Sequence, residues 1–519
     1  MGRCNGGKRG TLPVEKSVEK TRQNTRSKRQ SAALKLGPLF VDKDEAKSIR
    51  QQLYEGLRDG ILTGRLLPGG LLPSTRVLAS DLNISRNTVM AVFELLIAEG
   101  LIVTTVGSGT RITQSIPSEF LALARSRSQL ERTRSPGLRP ISRRAGEMAS
   151  FLDSRAHSVP KPFAPGVPAI DQFPIATWNT ITSRHWREAT IRDLCSPQSL
   201  AAPELRQAIA SYVGASRAAL CGSGSIVVVS GAQQALDLTA RVLSDPGDVC
   251  WMEEPGYRGA RYALQLAGLN LVPARVDDQG LDIDYAIKNL PKPRLIYVTP
   301  SHQYPLGGMM SLERRIKLLQ FAESIGAWVI EDDYDSEYAY SGVSVPCLQG
   351  LDAGGRTVYI GTFNKALFPG LRLGFLISPS DLVEAFRGSR MHTDGHPPAV
   401  VQSILAEFIQ SGTFSAHLRR MRGIYAERRD ELIKSLCRYM PYLRIGINDR
   451  GLHFVAELPK DASDRAWSAK AQAEGFVLPP LSEFYFGDAD RQGLLFGFAC
   501  TPIQEIEPAV RKLSAVLKP

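Results

Sequence analysis

Ile49, Leu53, Leu57 and Ile61 recur every four residues and mark one apolar helix face. Gly64 suits the end of that helix, and Pro68-Gly69-Gly70 breaks the chain. In LPSTRVLASDL, Ser74 is placed to cap a short helix with Val77, Leu78 and Leu82 turned inward. Asn83 suits a left-handed turn. Ser85 is placed to cap the next helix, SRNTVMAVFELLIAEG. That helix puts Val89, Val92, Phe93, Leu96 and Ile97 on one face, and Arg86, Asn87 and Thr88 in an outward first turn. Gly100 suits its end. LIVTTV, a Gly107-Ser108-Gly109 turn and TRI then read as a β-hairpin.

Three helices and a hairpin match a winged helix-turn-helix. In such folds the start of the second motif helix enters the major groove. An arginine there can pair with guanine through two hydrogen bonds, and Asn or Thr can add contacts. Arg76, Gly107 and Arg111 are then placed to grip phosphate or the minor groove.

From about residue 161 onward, short apolar runs alternate with helical patterns, the signature of an α/β domain. Three of these runs point to one chemistry. SIVVVSGAQQALDL reads as a buried strand, a turn at Ser230-Gly231 and a helix start, whose amides at Gly231, Ala232 and Gln233 favour an anion such as phosphate. GAWVIEDDYDSEY places acids after an apolar strand, where ligands of open α/β sheets bind. One of these acids could hold a pyridine nitrogen protonated; a solvated acidic turn or a metal site is the alternative. TVYIGTFNKALFPGLRLGFLIS holds Lys365 between Phe363 and Phe368, where burial lowers an amine pKa and favours a Schiff base with an aldehyde. Arg372, seven residues on, is placed for a phosphate contact.

The 519 residues imply about two to four domains. No stretch reaches the ~18 uninterrupted apolar residues of a membrane span. No signal-type segment opens the chain, so a cytoplasmic protein without a membrane partner is expected. Cys4, Cys195, Cys221, Cys250, Cys347, Cys437 and Cys500 form no CxxC pair, so reduced thiols and no metal are expected. The net charge of +11 is uneven: residues 1–35 carry +8, 36–113 zero and 114–160 +4. Positive charge thus flanks the compact helical segment, as expected beside a nucleic acid. The expected order is a disordered basic tail at 1–38, the winged helix-turn-helix at 39–113, an Arg/Ser/Pro-rich linker at 114–160 and the body at 161–519.

LPSTRVLASDLNISRNTVMAVFELLIAEGLI followed by VGSGTRI resembles the GntR family, polar positions included. The three body runs, in their order, resemble the class I and II aminotransferases, which are fold-type I pyridoxal phosphate (PLP) proteins. That resemblance implies coenzyme carried on Lys365, Asp332 paired with the pyridine nitrogen and Tyr334 on the ring hydroxyl. It also implies Tyr257 stacked on the ring, and Thr362, Arg372 and the amides at Gly231 and Ala232 on the phosphate. Gln303, in TPSHQYPLG, stands where the family usually has an Asn near the ring hydroxyl.

A GntR-type head fused to such a body resembles the MocR/GabR-type regulators. The resemblance implies a homodimer with shared coenzyme sites and exchanged heads. It implies double-stranded operator DNA bound through Ser74, Arg76, Ser85, Arg86, Asn87, Thr88, Gly107 and Arg111. It further implies a regulator that senses a small amine, an amino acid or PLP itself by Schiff-base exchange at Lys365, with little or no turnover. The alternative is a working aminotransferase with a regulatory head. Asn364 stands where such proteins commonly carry Ser. QGLLFGFA lacks the arginine that often clamps a substrate carboxylate in the aminotransferases, and only Arg491 lies near.

Overall fold

The computed structural model describes residues 42, 47–105, 107–114, 141–150, 160–191, 195, 202–340, 345–446 and 449–518. The basic tail expected at 1–38 and most of the linker expected at 114–160 lie outside the described residues. The chain divides into two compact units, Met1–Pro140 and Ile141–Pro519.

In the first unit, helices α1 (Ile49–Leu62), α2 (Thr75–Asp81) and α3 (Arg86–Ala98) precede the hairpin of β1 (Ile102–Thr105) and β2 (Gly109–Ile112). The hydroxyls of Ser48, Ser74 and Ser85 each accept a first-turn backbone N–H, which satisfies a donor the helix itself leaves open. Asn83 and Gly100 take φ values of +52° and +70°, the left-handed turns expected after α2 and α3. Leu53, Leu57, Ile61, Leu78, Val89, Val92, Phe93 and Leu96 form the core.

Two residues expected on the apolar faces are exposed, Val77 at 43% and Ile97 at 44%, while Ile49 is half-buried outside the core and Leu82 packs at its margin. In α2 the buried stripe is narrow and is filled by Leu78 and Ala79. Ile97 lies about 80° around the helix from Val89, off the stripe that Val89, Val92, Phe93 and Leu96 already fill. Phe93→Ala is expected to cost the head about 3–5 kcal/mol. Calorimetry should register this as an earlier head transition, and an unmoved transition would speak against this core.

The second unit holds β3 (Ile226–Val229), β4 (Val249–Glu254), β5 (Asn270–Asp277), β6 (Gly280–Leu281), β7 (Leu295–Val298), β8 (Trp328–Asp333), β9 (Thr357–Thr362) and β10 (Gly374–Ile377). They form one sheet in the order β3-β10-β9-β8-β7-β4-β5-β6. The strands from β9 through to β5 are parallel, while β10 runs antiparallel to both neighbours. Ile226 and Val228 join one buried cluster and Val227 and Val229 another, so apolar packing covers both faces of the sheet. A smaller antiparallel sheet pairs β11 (Arg444–Ile445), β12 (His453–Glu457) and β13 (Gly493–Gly497).

The strand order reverses between β4 and β7, which opens a crevice at the carboxyl ends of the strands. Helix α4 (Ala232–Leu243) starts at that edge, just after β3. A further helix, Arg143–Ser150, falls within the stretch read as linker and groups with the second unit. There Arg144 donates to the carbonyl of Leu266 at 3.1 Å. Among the described residues no helix is long and apolar enough to cross a membrane.

Candidate functional site

The acids that end β8 are sorted by strand alternation. Glu331 is buried and accepts the backbone N–H groups of Leu348 and Gln349 at 2.8 and 3.0 Å. Asp333 pairs with Arg217 at 3.1 Å and accepts the Tyr359 hydroxyl at 2.7 Å. Asp332, between them, lies on the opposite face. Its Oδ2 accepts the Tyr297 hydroxyl at 2.8 Å, and its Oδ1 is buried with no partner among the described residues. Burial pushes the Asp332 carboxyl up to about 7, against the opposing Tyr297 hydrogen bond.

Lys365 follows β9, and its Nζ donates to the carbonyl of Gly166 at 2.6 Å. Burial holds the amine below the ordinary lysine range, while the nearby Asp335 and Asp332 pull it back up. Gly166 has φ +70°, and a Cβ there would stand 2.6 Å from Nζ, so the close approach requires glycine.

Around this pair lie the other expected residues. Gly231 precedes α4 at φ +109° without a side-chain cap, leaving the first-turn amides from Ala232 onward open to an anion. Thr362 is buried at the end of β9, where its hydroxyl accepts the Asn364 N–H at 3.2 Å. The Asn364 amide reaches toward Gly231: its Nδ2 lies 3.2 Å from where a Cβ on that glycine would stand. Arg372 is exposed and takes φ +52° after the turn at Pro369–Leu371. Tyr257, Tyr304 and Tyr334 form an edge-to-face chain with ring centroids 5.5 and 5.6 Å apart. Burial pushes the Tyr257 hydroxyl to about 12, with Asp332 adding to the shift and Arg372 opposing it.

These residues fit pyridoxal phosphate. They bring together an amine, an orphaned carboxylate oxygen suited to a protonated ring nitrogen, aromatic faces, and a helix N-terminus with an arginine for the phosphate. Gln303 is placed differently from the rest. Its amide donates to the carbonyls of Pro255 and Tyr304, both at 2.8 Å, and its oxygen accepts from Leu306 at 3.1 Å, so it braces loops. Arg491 is paired with Glu457 at the end of β12. At Gly497, on β13, a Cβ would stand 2.3 Å from the Ala164 carbonyl oxygen, so no side chain fits there.

Sequence reasoning missed Tyr297, Gly166 and the pair His302–Asp335, which contacts Tyr334. His302 stands in TPSHQYPLG and Asp335 in EDDYDSEY, but pairing between separate loops leaves no periodic signal in either motif.

In the head, Arg76, Arg86, Asn87, Gly107 and Arg111 are exposed and Thr88 is half-buried. Arg86 Nε donates to Thr75 Oγ1 at 3.4 Å, linking the starts of α3 and α2. The hydroxyls of Ser74 and Ser85 are committed to capping, and Thr88 Oγ1 lies 3.3 Å from Ser85 Oγ. Arg111 donates to the carbonyl of Gly69 at 3.0 Å, and Gly107 takes φ +86° in the hairpin turn.

Residues 49–112 match the family of bacterial regulatory proteins called gntR, and residues 177–513 match aminotransferase class I and II. The chain is 42% identical over 464 residues to the probable rhizopine catabolism regulatory protein MocR of Rhizobium meliloti, a match covering 89% of this chain and 92% of that one. The chain belongs to the MocR family of regulators. This MocR-family chain is also 30% identical to the HTH-type pyridoxine biosynthesis transcriptional regulator PdxR of Corynebacterium glutamicum, across 89% of its own length and 94% of the relative. Its body is similar to the α-aminoadipate aminotransferase LysN of Thermus thermophilus, with 28% identity and a TM-score of 0.65 over 73% of this chain and 97% of that one. The MocR-family body therefore has the fold of a class I and II aminotransferase.

Proposed function

We propose that this protein is a DNA-binding transcription regulator whose body holds pyridoxal phosphate at Lys365 and senses a primary amine, an amino acid or the coenzyme itself. The observation that carries the reading is the buried Asp332 Oδ1, left without a partner beside the Lys365 amine, in a chain that carries a GntR-type head at residues 49–112. Pyridoxal phosphate supplies an aldehyde that condenses reversibly with primary amines.

Each residue then has a defined task. Lys365 tethers the coenzyme, and its burial favours the neutral amine that can do so. Asp332 would hold the proton of the ring nitrogen, and Tyr257 would supply an aromatic face for the ring. Tyr334 would donate to the ring oxygen. Thr362, Arg372, Asn364 and the amides at Gly231 and Ala232 would hold the phosphate. With the coenzyme held there, an amine effector would compete with Lys365 for the aldehyde carbon, and it would bias the protein between two states only by its differential affinity for them. A homodimer carrying two heads would read two half-sites at fixed spacing, and the basic tail would strengthen binding in a salt-dependent way.

The test is a titration of amines and amino acids against full-length protein loaded with coenzyme. The visible spectrum and operator binding are followed together. A compound that changes both supports the reading; spectral changes that never alter operator binding overturn the sensing role. Arg86→Ala is expected to weaken cognate binding by about 1–3 kcal/mol while leaving the coenzyme spectrum unchanged. Full affinity for the cognate operator in a mobility-shift assay would remove α3 from the reading position. A second reading, a working aminotransferase with a regulatory head, draws on the similarity of the body to LysN. Keto-acid formation over many turnovers per site would decide for it.

A further inference from the structure

We propose that His302, held by Asp335, is a positioning residue that fixes the Tyr334 hydroxyl as a hydrogen-bond donor toward the coenzyme's ring oxygen. The inference rests on the coenzyme reading above. The Nδ1 atom of His302 lies 3.0 and 3.1 Å from the two carboxylate oxygens of Asp335. Asp335 Oδ2 also accepts the backbone N–H of Leu452 at 3.2 Å. An ionised carboxylate only accepts, so the proton at this contact sits on Nδ1. The same Nδ1 lies 2.9 Å from the Tyr334 hydroxyl oxygen. The single Nδ1 hydrogen is thus shared between the Asp335 carboxylate and the Tyr334 oxygen, and because a protonated Nδ1 cannot accept, the tyrosine hydrogen is left for another acceptor. Without Asp335 the neutral ring could carry its proton on Nε2, turn Nδ1 into an acceptor and draw the tyrosine hydrogen to itself.

The fold is shaped around this pair. His302 is 2% exposed and Asp335 1%, so water does not compete for either. Gly451 has φ +69°, and a Cβ there would stand 2.1 Å from His302 Cε1 and 2.5 Å from Asp335 Oδ2. The His453 ring packs against His302 with centroids 5.1 Å apart, and its Nε2 donates to the Pro305 carbonyl at 3.2 Å rather than to Tyr334. The arrangement is built through Tyr334, and the position of Asp335 also places a second negative charge near Lys365.

The experiment uses full-length protein reconstituted with pyridoxal phosphate, reading the visible absorption band and the coenzyme dissociation constant. His302→Leu is expected to shift the band and to weaken coenzyme about tenfold, roughly 1.4 kcal/mol. His302→Asn, which keeps a side-chain N–H, should restore most of both. Asp335→Asn should move the band in the same direction as His302→Leu. In a Tyr334→Phe background, His302→Leu should add nothing further. The proposal is overturned if His302→Leu leaves band and affinity at wild-type values, or if its full effect persists without the Tyr334 hydroxyl. Should the leucine variant not fold, an unmoved band in Asp335→Asn overturns it equally. A wild-type protein with no coenzyme band defeats the coenzyme reading; a wild-type band that ignores these substitutions defeats only this inference.

Discussion

Lys365→Ala protein mixed with pyridoxal phosphate is expected to retain no coenzyme through desalting, whereas wild type keeps it. Borohydride reduction should fix coenzyme to the wild-type chain and leave the variant unlabelled, as mass spectrometry can read. Lys365 carries this expectation because of its surroundings. Burial lowers its proton affinity, Gly166 fixes the end of the side chain, and Asp332 presents an unfilled oxygen nearby. Asp332, Thr362 and Arg372 are untouched in the variant, so residual non-covalent binding should persist at high coenzyme concentration. Stable covalent labelling of the variant at another lysine would remove Lys365 from the centre of the mechanism. Operator binding by the coenzyme-free variant should remain, because α3 is untouched, while its response to any amine effector should disappear.

The coenzyme-free protein is expected to gain stability as pH falls from 8 to 6.5. Glu253, Glu331 and Asp332 are each pushed up to about 7 by burial, and Glu337 is raised as well. Over this interval the folded state takes up protons that the unfolded chain has released, so acidification favours the fold. Each of the three groups at about 7 contributes about 0.8 kcal/mol over that interval. His417 and His453, held down to about 4 and about 3 by burial, oppose this because the unfolded chain protonates first. Together they offset about 0.8 kcal/mol, which leaves a net gain of roughly 1–2 kcal/mol. Carboxylates held below their ordinary range, such as Asp277 and Asp282, lose their contribution only at lower pH, outside this window. Urea midpoints at the two pH values measure the gain. Asp332→Asn should remove about a third of the carboxylate contribution. A midpoint that falls on acidification from pH 8 would show that these buried acids are ionised in the folded state.

The head was legible in the sequence almost residue by residue, because helical periodicity and capping are local. Ser74, Asn83, Ser85 and Gly100 do what their residue types suggested. Val77 and Ile97 were misplaced because an apolar residue at the margin of a stripe looks the same in sequence as one at its centre. The body's sheet could be read as a class, and Lys365 could be singled out by its apolar company. The strand order could not, since it depends on pairings between distant segments. The acids of EDDYDSEY show the same limit. Alternation separates Asp332 from Glu331 and Asp333, but which face turns to the coenzyme is set by Arg217, Arg315 and Tyr297 on other elements. Gln303 was read from its neighbourhood in the motif, and only the folded loops reveal that its amide is committed to backbone carbonyls.

Gly497 bears on how this chain can vary around Lys365. A side chain at that position would run into the Ala164 carbonyl, so no substitution fits there without moving the backbone at Ala164 and Pro165. Those residues lead directly to the Gly166 carbonyl that meets Lys365. Any side chain acquired at this point would disturb the lysine in the same step. Variation around the lysine is thereby steered to other positions, and one backbone contact becomes a heritable constraint on where Lys365 can sit.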